Sequence, residues 1–270
     1  MTRTALFTST LAGVLSFVSV AAQADGPFNW AGFYFGANAG VAAGEFSNSL
    51  AIVDNTPNNY FFPPAIAAVN TSGSPELRSQ KFTGGGQVGY NIQSGALVWG
   101  IEVDFNSIHL KKAYGNPLPG ANNFVYPTSG APYQLAESAA ATWLFTARPR
   151  LGVVMDQRTM LYATGGIAVT RLAFSQFFAE APFTPSPETA AISKTKIGWS
   201  LGGGFELALA QHWTLKGEYV FTHFGAESAV GQLANANGAS PVVGFVDGAT
   251  FNNSVRLEIH TLRTGINYKF

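Results

Sequence analysis

The feature that most limits this chain is an apolar residue at every second position, repeated in segment after segment. In Leu97-Val98-Trp99-Gly100-Ile101-Glu102-Val103-Asp104-Phe105-Asn106 every odd position is large and apolar, while the even ones are mostly small, polar or acidic. A strand of that sequence has one greasy face and one charged face. The alternation runs on through residues 82–92, with the even positions now apolar, and through 143–153. It returns at 199–207, opposed by Ser200, Gly202, Gly204 and Glu206, and at 215–221, opposed by Lys216 and Glu218. With residues 33–41, 160–174 and a final strand ending at Phe270, eight strands are expected. Most are about ten residues or longer, enough to cross a bilayer at a tilt.

From Asp25 onward no apolar stretch approaches the length of a spanning helix, so helices do not account for a chain that is 47% hydrophobic. Only 11% of residues are charged, against about a quarter in a soluble domain, so much of the outer surface need not face water. Fifteen bases balance fifteen acids, and nucleic-acid binding is excluded because it needs a basic excess. With no cysteine, disulfides, thiolate zinc sites, cysteine nucleophiles and a lipidated N-terminal cysteine are excluded as well.

The first residues read as an address. A single positive charge at Arg3, an apolar or small-residue run over 5–20 and the small-x-small triplet Ala22-Gln23-Ala24 predict a signal peptide over 1–24. The run is shorter than a membrane anchor needs. Residues 25–270 are then a single exported domain, with fourteen bases and fifteen acids once Arg3 is removed.

The connections separate a barrel from a sandwich. Tight turns are expected at Gln93-Ser94-Gly95-Ala96, Asp156-Gln157-Arg158 and Ala210-Gln211-His212. Long loops are expected over 46–80, 113–138, 177–193 and 226–252, which carry Pro57, Pro63, Pro64, Pro117, Pro119, Pro182, Pro185 and Pro187. Short turns on one side, long loops on the other and an even strand count describe an all-β fold: an eight-stranded antiparallel up-and-down transmembrane β-barrel with short periplasmic turns and long extracellular loops. Aromatic girdles are expected from Trp30, Phe33, Tyr90, Trp213, Tyr268 and Phe270 at the periplasmic ends. Phe82, Phe105, Trp143, Phe174, Trp199 and Phe224 supply the outer ones.

Residues 30–40, Trp-Ala-Gly-Phe-Tyr-Phe-Gly-Ala-Asn-Ala-Gly, resemble the first strand of the small eight-stranded outer-membrane immunogenic or porin-family proteins of alphaproteobacteria. Similar matches are Gly198-Trp199-Ser200-Leu201-Gly202-Gly203-Gly204-Phe205-Glu206, Trp213-Thr214-Leu215-Lys216-Gly217-Glu218-Tyr219 and the ending Leu262-Arg263-Thr264-Gly265-Ile266-Asn267-Tyr268-Lys269-Phe270. The resemblance covers the strands and not the long loops. It implies that Tyr268 and Phe270, with Leu262 and Ile266 before them, form the signal read by the barrel-assembly machinery. The last strand departs from the pattern, since Val255, Leu257 and Ile259 are apolar at odd positions and Leu262 onward at even ones. A bulge near His260 or an extracellular start to the strand would explain it.

By parity Glu102, Asp104, Arg148, Arg150, Glu206, Lys216, Glu218 and Arg263 point inward, four acids with four bases. An eight-stranded interior is just wide enough to be filled by side chains, so these charges are expected to pair across it. They form either a fixed plug, the reading favoured here, or an ion filter. Catalysis is not expected. A charged lumen suits no acyl chain, and the parity of His109 and His223 places them on the lipid face while His212 sits in a turn. No catalytic, metal or cofactor site is assigned, and the runs 84–86 and 202–204 read as barrel curvature and not phosphate loops. The chain therefore reads as an envelope protein with exposed loops, or alternatively a narrow porin. Its expected partners are outer-membrane lipid, lipopolysaccharide near Lys111 and Lys112, the assembly machinery, and host or envelope molecules at the loops.

Overall fold

The computed structural model describes residues 27–54, 61, 63–115, 124–180, 188–232 and 249–270; the expected signal peptide lies outside them. Eight long strands, β1 (Gly32–Val53), β2 (Glu76–Ser94), β3 (Leu97–Gly115), β4 (Pro132–Val154), β5 (Thr159–Glu180), β6 (Glu188–Ala208), β7 (Trp213–Gln232) and β8 (Thr250–Lys269), form one antiparallel sheet. Each pairs with its chain neighbours, β3 with β4 across the pair Glu102 and Arg148, and β8 closes the ring on β1. Closure matters because lipid offers no hydrogen bonds to an open edge. A two-residue strand, Phe124–Val125, pairs with the start of β4, and a helix α1 (Pro63–Ser72) follows β1.

The strands are longer than a membrane crossing, from 19 residues in β2 to 23 in β4, where about ten suffice. The four segments expected as loops are therefore partly strand. β1 runs on to Val53, β2 starts at Glu76, and α1 occupies part of the first connection. The barrel stands well above the membrane on its long-loop side.

The end of β8 shows what happens at that boundary. Its pairing with β1 is continuous from Thr250 to Lys269 with no bulge near His260, so of the two explanations the extracellular start holds. Odd residues face inward throughout: Val255, Leu257 and Ile259 at 0% exposure, then Arg263 at 5%. Even residues face outward throughout, Arg256 among them above and Leu262 and Ile266 below. The backbone does not change; its surroundings do. In the membrane the outside is apolar and the lumen ionic, and above it the outside is polar and the interior apolar.

Other strands do slip at this level. Register shifts fall between Ser107 and Leu110 against β4, between Ala141 and Leu144 against β5, and between Phe224 and Glu227 against β8. In β4 the buried set is even from Leu144 inward and odd from Ala141 outward, and β7 changes likewise after Phe224. Bulges at the rim let a strand exchange faces where the solvent changes. His109, at φ 44°, occupies the first of these sites.

Phe33, Tyr90, Trp213 and Phe270 are exposed at the periplasmic end, and Phe82, Phe105 and Trp199 at the outer one. Three expected girdle residues are instead interior. Trp30, at 1% exposure, packs with Val98, Met160, Tyr162 and Ala208 across the periplasmic mouth. Phe174 and Phe224 belong to the extracellular core with Phe46, Leu110, Leu172 and Leu257.

The inversion makes a direct prediction. Ile101→Arg, on the lipid face between Trp99 and Phe105, should cost about 2–4 kcal/mol of folding free energy near the bilayer midplane. Ser254→Arg, outward on the extracellular half of β8, should cost almost nothing. Urea titration of both variants in lipid vesicles, followed by tryptophan fluorescence, measures the difference.

Candidate functional site

The eight inward charges converge in the membrane half of the lumen, none more than 5% exposed. Register sets much of this. Glu102 lies directly across from Arg148, Glu206 from Lys216, and Glu218 from Arg263, on adjacent strands. Cross-strand opposites of unlike charge are favourable even before they meet across the lumen. Arg148 Nη2 then reaches Asp104 at 2.9 Å and Glu102 and Glu218 at 3.2 Å, while Arg263 contacts Asp104 at 2.9 Å and Glu218 at 2.6 Å. Lys216 Nζ donates to Glu102 at 2.6 Å, and Arg150 donates to Glu206 at 2.6 Å.

Neutral side chains complete the network. The Tyr34 hydroxyl donates to Glu102 at 2.8 Å and accepts from Arg150 at 2.9 Å, and the Arg150 guanidinium lies 4.2 Å from the centre of the Tyr162 ring. Thr146 donates to Asp104, and Thr214 and Asn267 to Glu206. The sequence reading did not single out these residues, although each lies on the inward parity of its strand. Room for them comes from residues with no side chain. A Cβ on Gly89 would stand 2.4 Å from the Tyr34 ring, and one on Gly166, 2.3 Å from the Ala147 carbonyl oxygen, would press on the backbone of the adjacent strand.

Isolated, each charge would cost several kcal/mol to bury; four bases beside four acids make the chamber neutral and satisfy most oxygens. A cavity of about 10 Å³ lies beside Asp104, Arg148 and Arg263, lined also by Thr83, Thr146 and Thr261. That is about one water's worth of room. Trp30 and Met160 cover the chamber from the periplasm, and Leu110, Leu144, Phe224 and Ile259 from outside.

The histidines sit apart from this chamber. His109 bonds Ser107, His223 bonds Glu258 at 3.1 Å, His260 bonds Tyr219 at 2.6 Å, and His212 bonds the Lys269 carbonyl from its turn. Among the described residues no group of three or more histidines and carboxylates gathers for a metal ion. Tyr268 and Phe270 lie at the periplasmic rim where β8 meets β1. There Tyr268 packs on Trp213 at 5.1 Å and Phe270 on Phe33 at 5.8 Å.

A family model described as outer membrane protein beta-barrel domain matches residues 10–270. The 31 kDa outer-membrane immunogenic protein of Brucella melitensis biotype 1 is 32% identical over 251 residues, covering 90% of this chain and 85% of the relative. Among solved structures, the outer membrane protein OprG from Pseudomonas aeruginosa is 13% identical with a TM-score of 0.43, covering 89% of this chain and 96% of that one. The outer membrane protease OmpT from Escherichia coli is 6% identical with a TM-score of 0.45, covering 88% and 97%.

Removing one member of the ionic chamber strands its partners. Arg148→Ala and Glu218→Ala should each cost about 3–5 kcal/mol, whereas Arg78→Ala, which breaks exposed pairs with Glu45 and Glu76, should cost about 1 kcal/mol or less. Thermal unfolding in detergent, read by circular dichroism and by gel mobility of boiled and unboiled samples, should rank them in that order.

Proposed function

The chain belongs to the outer membrane protein β-barrel family, and on that premise we propose that it is a closed, non-catalytic barrel of the outer membrane whose work is done by its outward surfaces. The observation that carries this reading is the filling of the lumen. An apolar layer under Trp30, the neutral ionic chamber and the apolar layer around Phe224 and Leu257 follow one another along the axis. The eight lumen charges act as a structural plug. Such an interior offers neither a passage for solutes nor a slot for a substrate.

The outward surface has a sorted charge pattern. Arg78, Lys81, Lys111, Lys112, Arg171, Lys194, Lys196 and Arg256 lie on the part of the barrel above the outer aromatic belt. The carboxylates of Glu45, Glu76, Glu227 and Glu258 only partly offset them. A basic collar next to the outer aromatic belt suits the phosphates of an outer leaflet, which supports lipopolysaccharide as the lipid partner. At the other rim, the exposed aromatic edge of Tyr268 and Phe270 supports recognition by the assembly machinery. The long connections between strands are the segments that would meet host or envelope molecules.

Single-channel recording across a planar bilayer tests the closed reading. With insertion confirmed independently, the unaltered protein should be silent. Stable stepwise conductance, with ion selectivity that changes in Glu102→Ala and Arg148→Ala, would replace the plug with a narrow charged pore.

A further inference from the structure

A second polar chamber lies outside the membrane, between two apolar layers of the extracellular half. Its walls are Asn48 on β1, Glu137 on β4, Gln176 on β5, Glu188 on β6 and Asn253 on β8, all buried. On the outer face at this level Ser138 bonds Ser175 in solvent, which sets the chamber above the bilayer. Asn48 Nδ2 donates to Glu137 Oε1 at 3.1 Å, to Asn253 Oδ1 at 2.8 Å and to the Gly73 carbonyl at 2.9 Å. Gln176 Nε2 also donates to Glu137 Oε1 at 2.8 Å, and Asn253 Nδ2 donates to Gln176 Oε1 at 2.8 Å.

Each amide nitrogen in this set donates to an oxygen, and oxygens remain over. Asn48 Oδ1, Glu137 Oε2 and both oxygens of Glu188 are buried without a partner. Glu188 has 0% exposure, stands against the backbone of Gly231 on β7, and is near enough to Glu137 for their charges to repel. The ionic chamber below matches four acids with four bases, whereas among the described residues no lysine or arginine enters this one. The facing residues of the remaining walls are uncharged: Leu77 and Ser79 on β2, Leu110 and Tyr114 on β3, Tyr133 on β4, and Ala229 and Gly231 on β7. The carbonyl end of α1 points here as well, through Gly73, and the last turn of that helix carries no basic residue. That end of a helix favours a cation.

We infer that this chamber is a binding site for one hard divalent cation of the calcium class, held by the carboxylates of Glu137 and Glu188 and by Asn48 Oδ1. Two carboxylates, an amide oxygen and nearby backbone carbonyls are calcium's ligand set, and two positive charges neutralise the two negative ones. Without the ion the same oxygens must hold protons. Burial, reinforced at Glu188 by the neighbouring Glu137, pushes the carboxyls up to about 7 at Glu137 and about 8 at Glu188. The contribution of these two carboxyls to the stability of the ion-free protein is therefore full below the ordinary carboxyl value of 4.5 and is lost as pH rises through 7 and 8.

The test uses the chain refolded in zwitterionic detergent free of lipopolysaccharide, with thermal unfolding in EDTA and in calcium chloride and a calorimetric calcium titration. Calcium should raise the unfolding temperature by several degrees, and by more at pH 8 than at pH 6. Glu188→Gln and Glu137→Gln should abolish the gain. An unaltered protein with no calcium heat and no shift would overturn the site. So would a gain of equal size in both variants, which would assign the ion to surface carboxylates. If neither variant refolds, the calorimetric titration of the unaltered protein decides, since calcium heat that does not saturate at one ion per chain would also overturn the site.

Discussion

A strand in hydrocarbon has to find every one of its hydrogen-bond partners in another strand, and in this chain the pairing of β8 with β1 meets that demand by closing the sheet. The rest follows from closure at this strand number. An eight-stranded ring is narrow, so its lumen is solid, and the composition of the filling is the only freedom left. Here glycines on inward positions make room for large side chains, as Gly89 does for Tyr34, and let strands approach closely, as Gly166 does at the Ala147 and Arg148 backbone.

The filling changes along the axis because the exterior does. Where lipid takes the apolar side chains, the polar ones turn inward and must neutralise one another at low dielectric; Arg148, which touches three carboxylates, sits at the centre of that arrangement. Where water takes the polar side chains, the interior can be an ordinary apolar core, and Phe46, Leu110, Phe224 and Leu257 form one. The register shifts in β3, β4 and β7 lie at the junction of the two regimes. The chamber of Glu137 and Glu188 interrupts the upper core and is the place where charge of one sign is buried without its opposite in the described chain.

Much of this was legible from period two alone. Parity is a local property, so it assigned Glu102, Arg148, Lys216 and the other lumen charges to the inner face without knowledge of the fold. Parity says which side a residue faces but not where the membrane stops. For that reason Phe174 and Phe224 looked like girdle residues, strand was mistaken for loop beyond Phe46, and Glu137 fell within an expected loop. The change of phase in β8 was visible but ambiguous: Val255, Leu257 and Ile259 suit a bulge or a change of solvent equally well until the pairing with β1 is known. Tyr34 and Tyr162 were hidden for a different reason, because a tyrosine in such a strand suits an interface as well as a lumen. The helix α1 carries only the weak signal of prolines at its start.

The upper half of the barrel has a mechanical consequence. From Trp199 to the start of β6 at Glu188 is about eleven residues, which at a tilted strand's rise is a rigid stem of about 25 Å above the lipid. Loops tethered directly at the headgroups would lie among the inner sugars of the outer leaflet. On this stem the long connections leave the strands at residues such as Val53, Gly115 and Glu180, well beyond the aromatic belt that marks the lipid, so these segments are held away from the headgroups by paired backbone.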